Sequence, residues 1–236
     1  MFVDGQHRYL VLLKLFNRQR LHQTTPLTWM DRYPEIFSTC RHYFAERDDL
    51  KILSYGCSTG EEVLTLRRYF PSAFICGSEI NRRSLAVCRK RKVDNRIVFI
   101  QSDPATIARY GPFDAIFCMA VLQRTPEAVA EQGIINLNPI YPFERFNRQI
   151  GEFDTFLAKD GLLVIRHTQY RFQDTAVVSK YVPLTLEHGF EVGSKFDRTS
   201  HRLSDAETRG LRSIFVKISQ RDASKDGVNM RDRLLP

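Results

Sequence analysis

The residues best suited to chemistry cluster in the first half of the chain. Gly56-Cys57-Ser58-Thr59-Gly60 follows the apolar Ile52 and Leu53 and runs into Glu61-Glu62. This is the pattern of a short buried strand, a tight turn and a helix start. Glycine in such a turn removes the Cβ that would hold a ligand off the backbone. Glu79 ends the next apolar run, about twenty residues on, where a carboxylate can accept both hydroxyl hydrogen bonds of a ribose diol. Ser102 and Asp103 end a third run, where a carboxylate can accept from an adenine amino group. No lysine follows the last glycine, so the turn is not a P-loop. Glu61 and Glu62 would repel a pyrophosphate and suit a ligand that carries an ammonium or a sulfonium. Further along, Gln123, Arg124, Tyr141, His167 and Tyr170 stand where a second substrate would lie. His167 could take a proton from a hydroxyl or amine, and Tyr141 is the other candidate catalytic group. Arg124 and Arg166 could grip an anion.

The elements that must position these groups alternate strand and helix. The apolar runs predict strands over 51–55, 73–78, 96–101, 114–119 and 161–166, with helices over 60–70, 81–92 and 143–158 between them. A helix over 175–188 and strands over 190–196 and 211–219 complete the pattern, the last two read as an antiparallel pair at one edge. Short apolar strands separated by helices imply a mostly parallel sheet covered on both faces. The first 50 residues read as a helical cap: Tyr9, Leu12, Leu13 and Phe16 share one helical stripe, and Thr28 is placed to cap a second helix through Phe37. Residues 51–220 form the ligand-binding domain, and 221–236 a polar, flexible tail. The long link at 131–143 reads, with the cap, as a substrate lid.

Composition narrows the partners. The chain of 236 residues has a formal net charge of +8, much of it in Arg82, Arg83, Arg89, Lys90, Arg91 and Lys92. That charge suits an acidic protein or RNA, although the solvated face of a helix is the commoner source of such a run. No apolar run is long enough for a membrane span. The five cysteines show no metal-ligand spacing and read as buried thiols in a reducing cytoplasm.

Taken together, residues 55–60, Glu79, Ser102-Asp103, Phe113-Asp114-Ala115-Ile116-Phe117 and residues 157–163 resemble a class I S-adenosylmethionine-dependent methyltransferase over roughly residues 50–219. The resemblance implies a Rossmann-like sheet of seven strands, mostly parallel with an antiparallel last strand. It implies S-adenosylmethionine as cofactor and S-adenosylhomocysteine as product. On that reading the cofactor is held by Thr28, Arg32, Gly56, Cys57, Ser58, Gly60, Glu61, Glu62, Glu79, Ile80, Ser102, Asp103, Met119 and Ala120. The wording of residues 56–62 is also similar to that of chemotaxis receptor methyltransferases, with Thr28 and Arg32 at that family's spacing. Pro26 and Met119-Ala120 depart from its pattern, and the short link between strands two and three leaves no room for its receptor-docking subdomain. The acceptor expected is therefore a small molecule, with a protein glutamate, RNA, or a cofactor-binding regulator without transfer chemistry as alternatives.

Overall fold

A computed structural model describes residues 20–23, 28–45, 47–184 and 193–218. The proposed stripe of Tyr9 to Phe16, Pro26 and the tail at 221–236 lie outside the described residues.

Five strands run parallel: β1 (Lys51–Tyr55), β2 (Phe74–Glu79), β3 (Ile97–Gln101), β4 (Phe113–Met119) and β5 (Leu157–Arg166). Two more, β6 (Tyr181–Pro183) and β7 (Ile214–Lys217), complete a seven-stranded sheet in the order β3-β2-β1-β4-β5-β7-β6. β7 is antiparallel to both of its neighbours. This is the mostly parallel, Rossmann-like sheet of seven strands expected from the sequence.

The alternation of side chains along each strand divides the core between two faces. Leu53, Ile116 and Leu163 point to one side, with Phe146, Ile150 and Phe153 of helix α6 (Phe143–Phe156). Ile52, Phe117 and Val164 point to the other, where they meet α1 (Pro34–Tyr43) and α2 (Glu61–Tyr69). Phe37 of α1 lies 5.7 Å from Phe117 and 5.6 Å from Tyr69, ring to ring. The second helix of the cap is thus part of the sheet's own covering layer. It starts at Pro34, a residue suited to the first turn, and Thr28 does not cap it.

Three further helices connect the parallel strands: α3 (Arg82–Cys88), α4 (Pro104–Ala108) and α5 (Pro126–Glu131). The helix expected at 81–92 is shorter than its charged pattern suggested, and α4 was not foreseen.

Two departures have local causes. Over 175–184 the helix expected at 175–188 is replaced by a short 3-10 turn, Val178–Lys180, after another at Phe172–Asp174, and by β6; residues 185–188 lie outside the described residues. Val177, Val178 and Val182 are β-branched and Pro183 cannot enter a helix interior, so the segment extends. Pro183 is tolerated because β6 lies at the sheet edge. A strand over 190–196 is not observed: Phe196 forms only isolated bridges to Tyr170 and Arg202, and residues 190–192 lie outside the described residues. The second departure is β5, which begins at Leu157 rather than at 161. Residues 159–160, between the expected helix and strand, form a bulge within the strand, with Asp160 at φ 59° and a register shift against β4 between Phe113 and Ala115.

Candidate functional site

The order of strands reverses between β1 and β4, and the crevice at their carboxyl ends is where open α/β sheets bind ligands. A cavity open to solvent lies there. Its floor is Tyr55, Gly56, Cys57 and Ser58 after β1, Glu79, Ile80 and Asn81 after β2, Ser102 after β3, and Met119, Ala120 and Val121 after β4. Its roof comes from before the sheet: Arg20, Leu21, His22, Thr28, Trp29, Arg32 and Tyr33.

The glycine turn is held by the carboxylate it was expected to serve beside. Glu79 is 7% exposed. Its Oε2 accepts from the Ser58 backbone N–H at 2.8 Å, and its Oε1 from that of Asn81 at 2.6 Å. Burial raises its pKa, against the pull of those backbone donors. Each oxygen keeps acceptor capacity for a ligand hydroxyl. Gly56 takes φ +74°, and a Cβ there would sit 2.6 Å from Val121 Cγ2. Only glycine therefore closes the turn without filling the cradle. Ser58 Oγ is buried with no hydrogen-bond partner among the described residues, as an acceptor-bearing ligand in the cavity would require.

The two adjacent glutamates have different surroundings. Glu62 faces the cavity, accepts from Ser54 Oγ at 2.7 Å, and feels the charge of Arg32. Burial pushes its pKa up to about 7, and the Ser54 bond and Arg32 only partly offset this. Glu61 turns away, ion-paired with Arg91 and accepting from Thr59 Oγ1 at 2.6 Å. Gly60 at φ +97° caps α2, and a Cβ there would meet Arg91 and Phe99 rather than the cavity.

Of the cofactor candidates, Thr28, Arg32, Gly56, Cys57, Ser58, Glu62, Glu79, Ile80, Ser102, Met119 and Ala120 line the cavity, whereas Gly60, Glu61 and Asp103 do not. Asp103 caps α4 through Thr106 N–H at 2.9 Å, and hydrogen bonding to Thr106 lowers its pKa.

Neither candidate catalytic group lines the cavity. Tyr141 is fully buried, and its hydroxyl lies 2.6 Å from His22 Nδ1. His167 takes φ 54° just after β5, with its ring 5.7 Å from that of Tyr33.

His22, which the sequence did not single out, lines the cavity and links its roof to the body of the protein. Its Nε2 lies 3.3 Å from Gln149 Oε1, which also accepts from Tyr55 Oη at 2.8 Å. Gln149 accepts at that oxygen, so His22 donates from Nε2 and accepts the Tyr141 proton at Nδ1. Burial pushes its pKa down to about 3, and Arg145, Arg124 and Arg148 contribute to the drop. The ring is neutral at pH 7. No residue spacing marks His22; Trp29, the only tryptophan of the chain, lies in the same roof beside Thr28 and Arg32. Arg32 stacks over it at 4.2 Å.

Residues 52–138 match the family model of a methyltransferase domain. A stretch of 99 residues is 33% identical to an uncharacterised protein of Synechococcus, covering 40% of this chain and 24% of that protein. The match thus spans about a quarter of that relative's length. Among solved structures, a plantazolicin methyltransferase bound to S-adenosylhomocysteine aligns with a TM-score of 0.43 at 15% identity, over 70% of this chain and 54% of its own. A putative caffeoyl-CoA O-methyltransferase of Staphylococcus aureus aligns with a TM-score of 0.40 at 13% identity, over 70% of each chain.

Proposed function

We propose that this chain is a methyltransferase that binds S-adenosylmethionine in the cavity and methylates an oxygen or nitrogen of a small molecule. The observation that carries the reading is one crevice holding a cradle open only to glycine, a buried Glu79 with spare acceptor capacity, and a buried Glu62 beside Arg32. The methyltransferase-domain match over residues 52–138 supports it.

In this reading Glu79 accepts from the ribose diol, and Ser58, Ile80 and Ser102 surround the nucleoside. Glu62 meets the ammonium, and Arg32, with Thr28, meets the methionyl carboxylate. When bound, the cofactor supplies an electrophilic methyl group. The chain's own work is alignment: the roof and floor exclude water and hold the acceptor in line with the leaving sulfur. Tyr141 and His167 act on this geometry from behind the cavity wall. Gly60, Glu61 and Asp103 support it by shaping the turn, the start of α2 and the start of α4. The likeness to chemotaxis receptor methyltransferases covers this cofactor half only. We place the reaction in the cytoplasm, where the buried cysteines stay reduced; among the described residues no helix is long and apolar enough to cross a membrane.

Calorimetric titration with S-adenosylmethionine and S-adenosylhomocysteine tests the reading. Micromolar binding that disappears in Glu79→Ala supports it, and no binding to either ligand sinks it. A second reading, RNA as acceptor, is favoured by the exposed Arg82, Arg83, Arg89, Lys90 and Lys92. It requires RNA binding that weakens steeply with salt.

A further inference from the structure

The only tryptophan of the chain stands in the roof of the cavity rather than in the core. Trp29 is 49% exposed and lines the cavity. The Arg32 guanidinium lies over its ring at 4.2 Å and over the Tyr33 ring at 5.1 Å, so one cation is in contact with two rings. Tyr33 is tied to the body of the protein: its ring lies 6.3 Å from that of Phe37 in α1 and 5.7 Å from that of His167 after β5. Contacts thus run from His167, behind the cavity wall, through Tyr33 and Arg32 to Trp29 in the roof.

The turn that carries these residues is pinned to α2. Asp31, at φ 52°, donates its backbone N–H to Thr65 Oγ1 at 2.9 Å, and its Oδ1 accepts from Tyr69 Oη at 3.0 Å. Glu62, Thr65 and Tyr69 follow one another at spacings of three and four residues, along one face of α2. The helix face that presents Glu62 to the cavity therefore also fixes the turn that presents Arg32. The Arg32 charge acts on Glu62, drawing its pKa down against the effect of burial. A loosely held arginine beside such a carboxylate would be drawn onto it. Stacking holds a guanidinium by its face, whereas a carboxylate is gripped through the in-plane N–H donors, so stacking fixes an arginine in a way compatible with that grip.

We infer that Trp29 and Tyr33 are positioning residues that hold Arg32 for the carboxylate of the cofactor, and that this stack sets a preference for an amino-acid-bearing nucleoside over the same nucleoside without its carboxylate. The inference rests on the S-adenosylmethionine reading above.

The test titrates the full chain by calorimetry with two ligands. One is S-adenosylhomocysteine; the other is S-adenosyl-3-thiopropylamine, which lacks only the carboxylate and keeps the ammonium. Wild type should prefer S-adenosylhomocysteine by about tenfold. Trp29→Ala should lower S-adenosylhomocysteine affinity about threefold to fivefold and leave that of the amine within roughly twofold. Trp29→Phe, which keeps a ring for the guanidinium, should recover most of the loss. Arg32→Ala should abolish the preference, and adding Trp29→Ala to it should cost nothing further, because the two residues act as one unit.

The inference falls, with the methyltransferase reading intact, if Trp29→Ala weakens both ligands equally, leaves S-adenosylhomocysteine affinity unchanged, or costs as much when Arg32 is already replaced. Equal losses would make Trp29 a wall of the nucleoside site. Wild-type protein that binds neither ligand would remove the reading and the inference together.

Discussion

The two halves of the sheet's rim handle polar groups in opposite ways. Behind β1, β2 and β3, Glu79, Glu62 and Ser58 direct acceptor or donor capacity into open space, held there by backbone and Ser54 bonds. On the β4 and β5 side, Tyr141 and Gln149 satisfy His22 of the roof, Gln149 also accepts from Tyr55 of β1, and Tyr170 closes on Tyr141 O and Ser200 Oγ. A carboxylate kept buried with capacity to spare is poised for a ligand; a closed network rigidifies the wall that the ligand meets. On the proposed reading, cofactor binding concentrates in the first half and alignment in the second.

Substitutions in the first half should abolish cofactor affinity, and those in the second should change stability. The largest effect is expected for Gly56→Val: the added side chain collides with Val121 and must adopt φ +74°. S-adenosylhomocysteine binding should be undetectable by calorimetry.

Glu79→Ala comes next, because it strands two backbone donors as well as removing the diol acceptor. Affinity should fall about 100-fold or more. A fall of less than tenfold would break the contrast between the halves.

Glu62 sharpens it through pH. With a pKa of about 7 in the free protein, its carboxyl is largely protonated at pH 6 and ionised at pH 8. An ammonium selects the ionised form, so cofactor affinity should rise with pH through about 7 and level off above it, with a proton released on binding. Titrations in buffers of different ionisation enthalpy would detect that proton, and Glu62→Gln should flatten the profile.

Arg32→Ala should cost about tenfold in cofactor affinity, a half-buried charge-assisted contact being worth less than a fully buried one. Tyr141→Phe should be the mildest for binding. Losing its hydroxyl leaves His22 Nδ1 without a donor and lowers unfolding free energy by about 1 kcal/mol in a denaturant melt. Cofactor affinity should stay within roughly twofold of wild type.

The adjacent pair Glu61-Glu62 shows where sequence reading stops. Both were expected to meet the same positive charge, but neighbouring side chains on a helix do not face the same way. Glu61 meets Arg91 and Glu62 the cavity, a division set by which residues happen to lie opposite. His22 was invisible for a similar reason: its partners Tyr141 and Gln149 are more than a hundred residues away.

What the sequence determined by itself is what depends on near neighbours. The apolar runs of β1 to β5, the glycine turn and Glu79 at the end of β2 are written in local periodicity and in the backbone needs of single residues. Tertiary structure decided what depends on distant partners. It placed β7 between β5 and β6, brought residues 20–23 and 28–33 over the crevice, and joined His22 to Tyr141 and Gln149. Each of these rests on contacts between segments far apart in the chain, whose free energy no short window of residues carries.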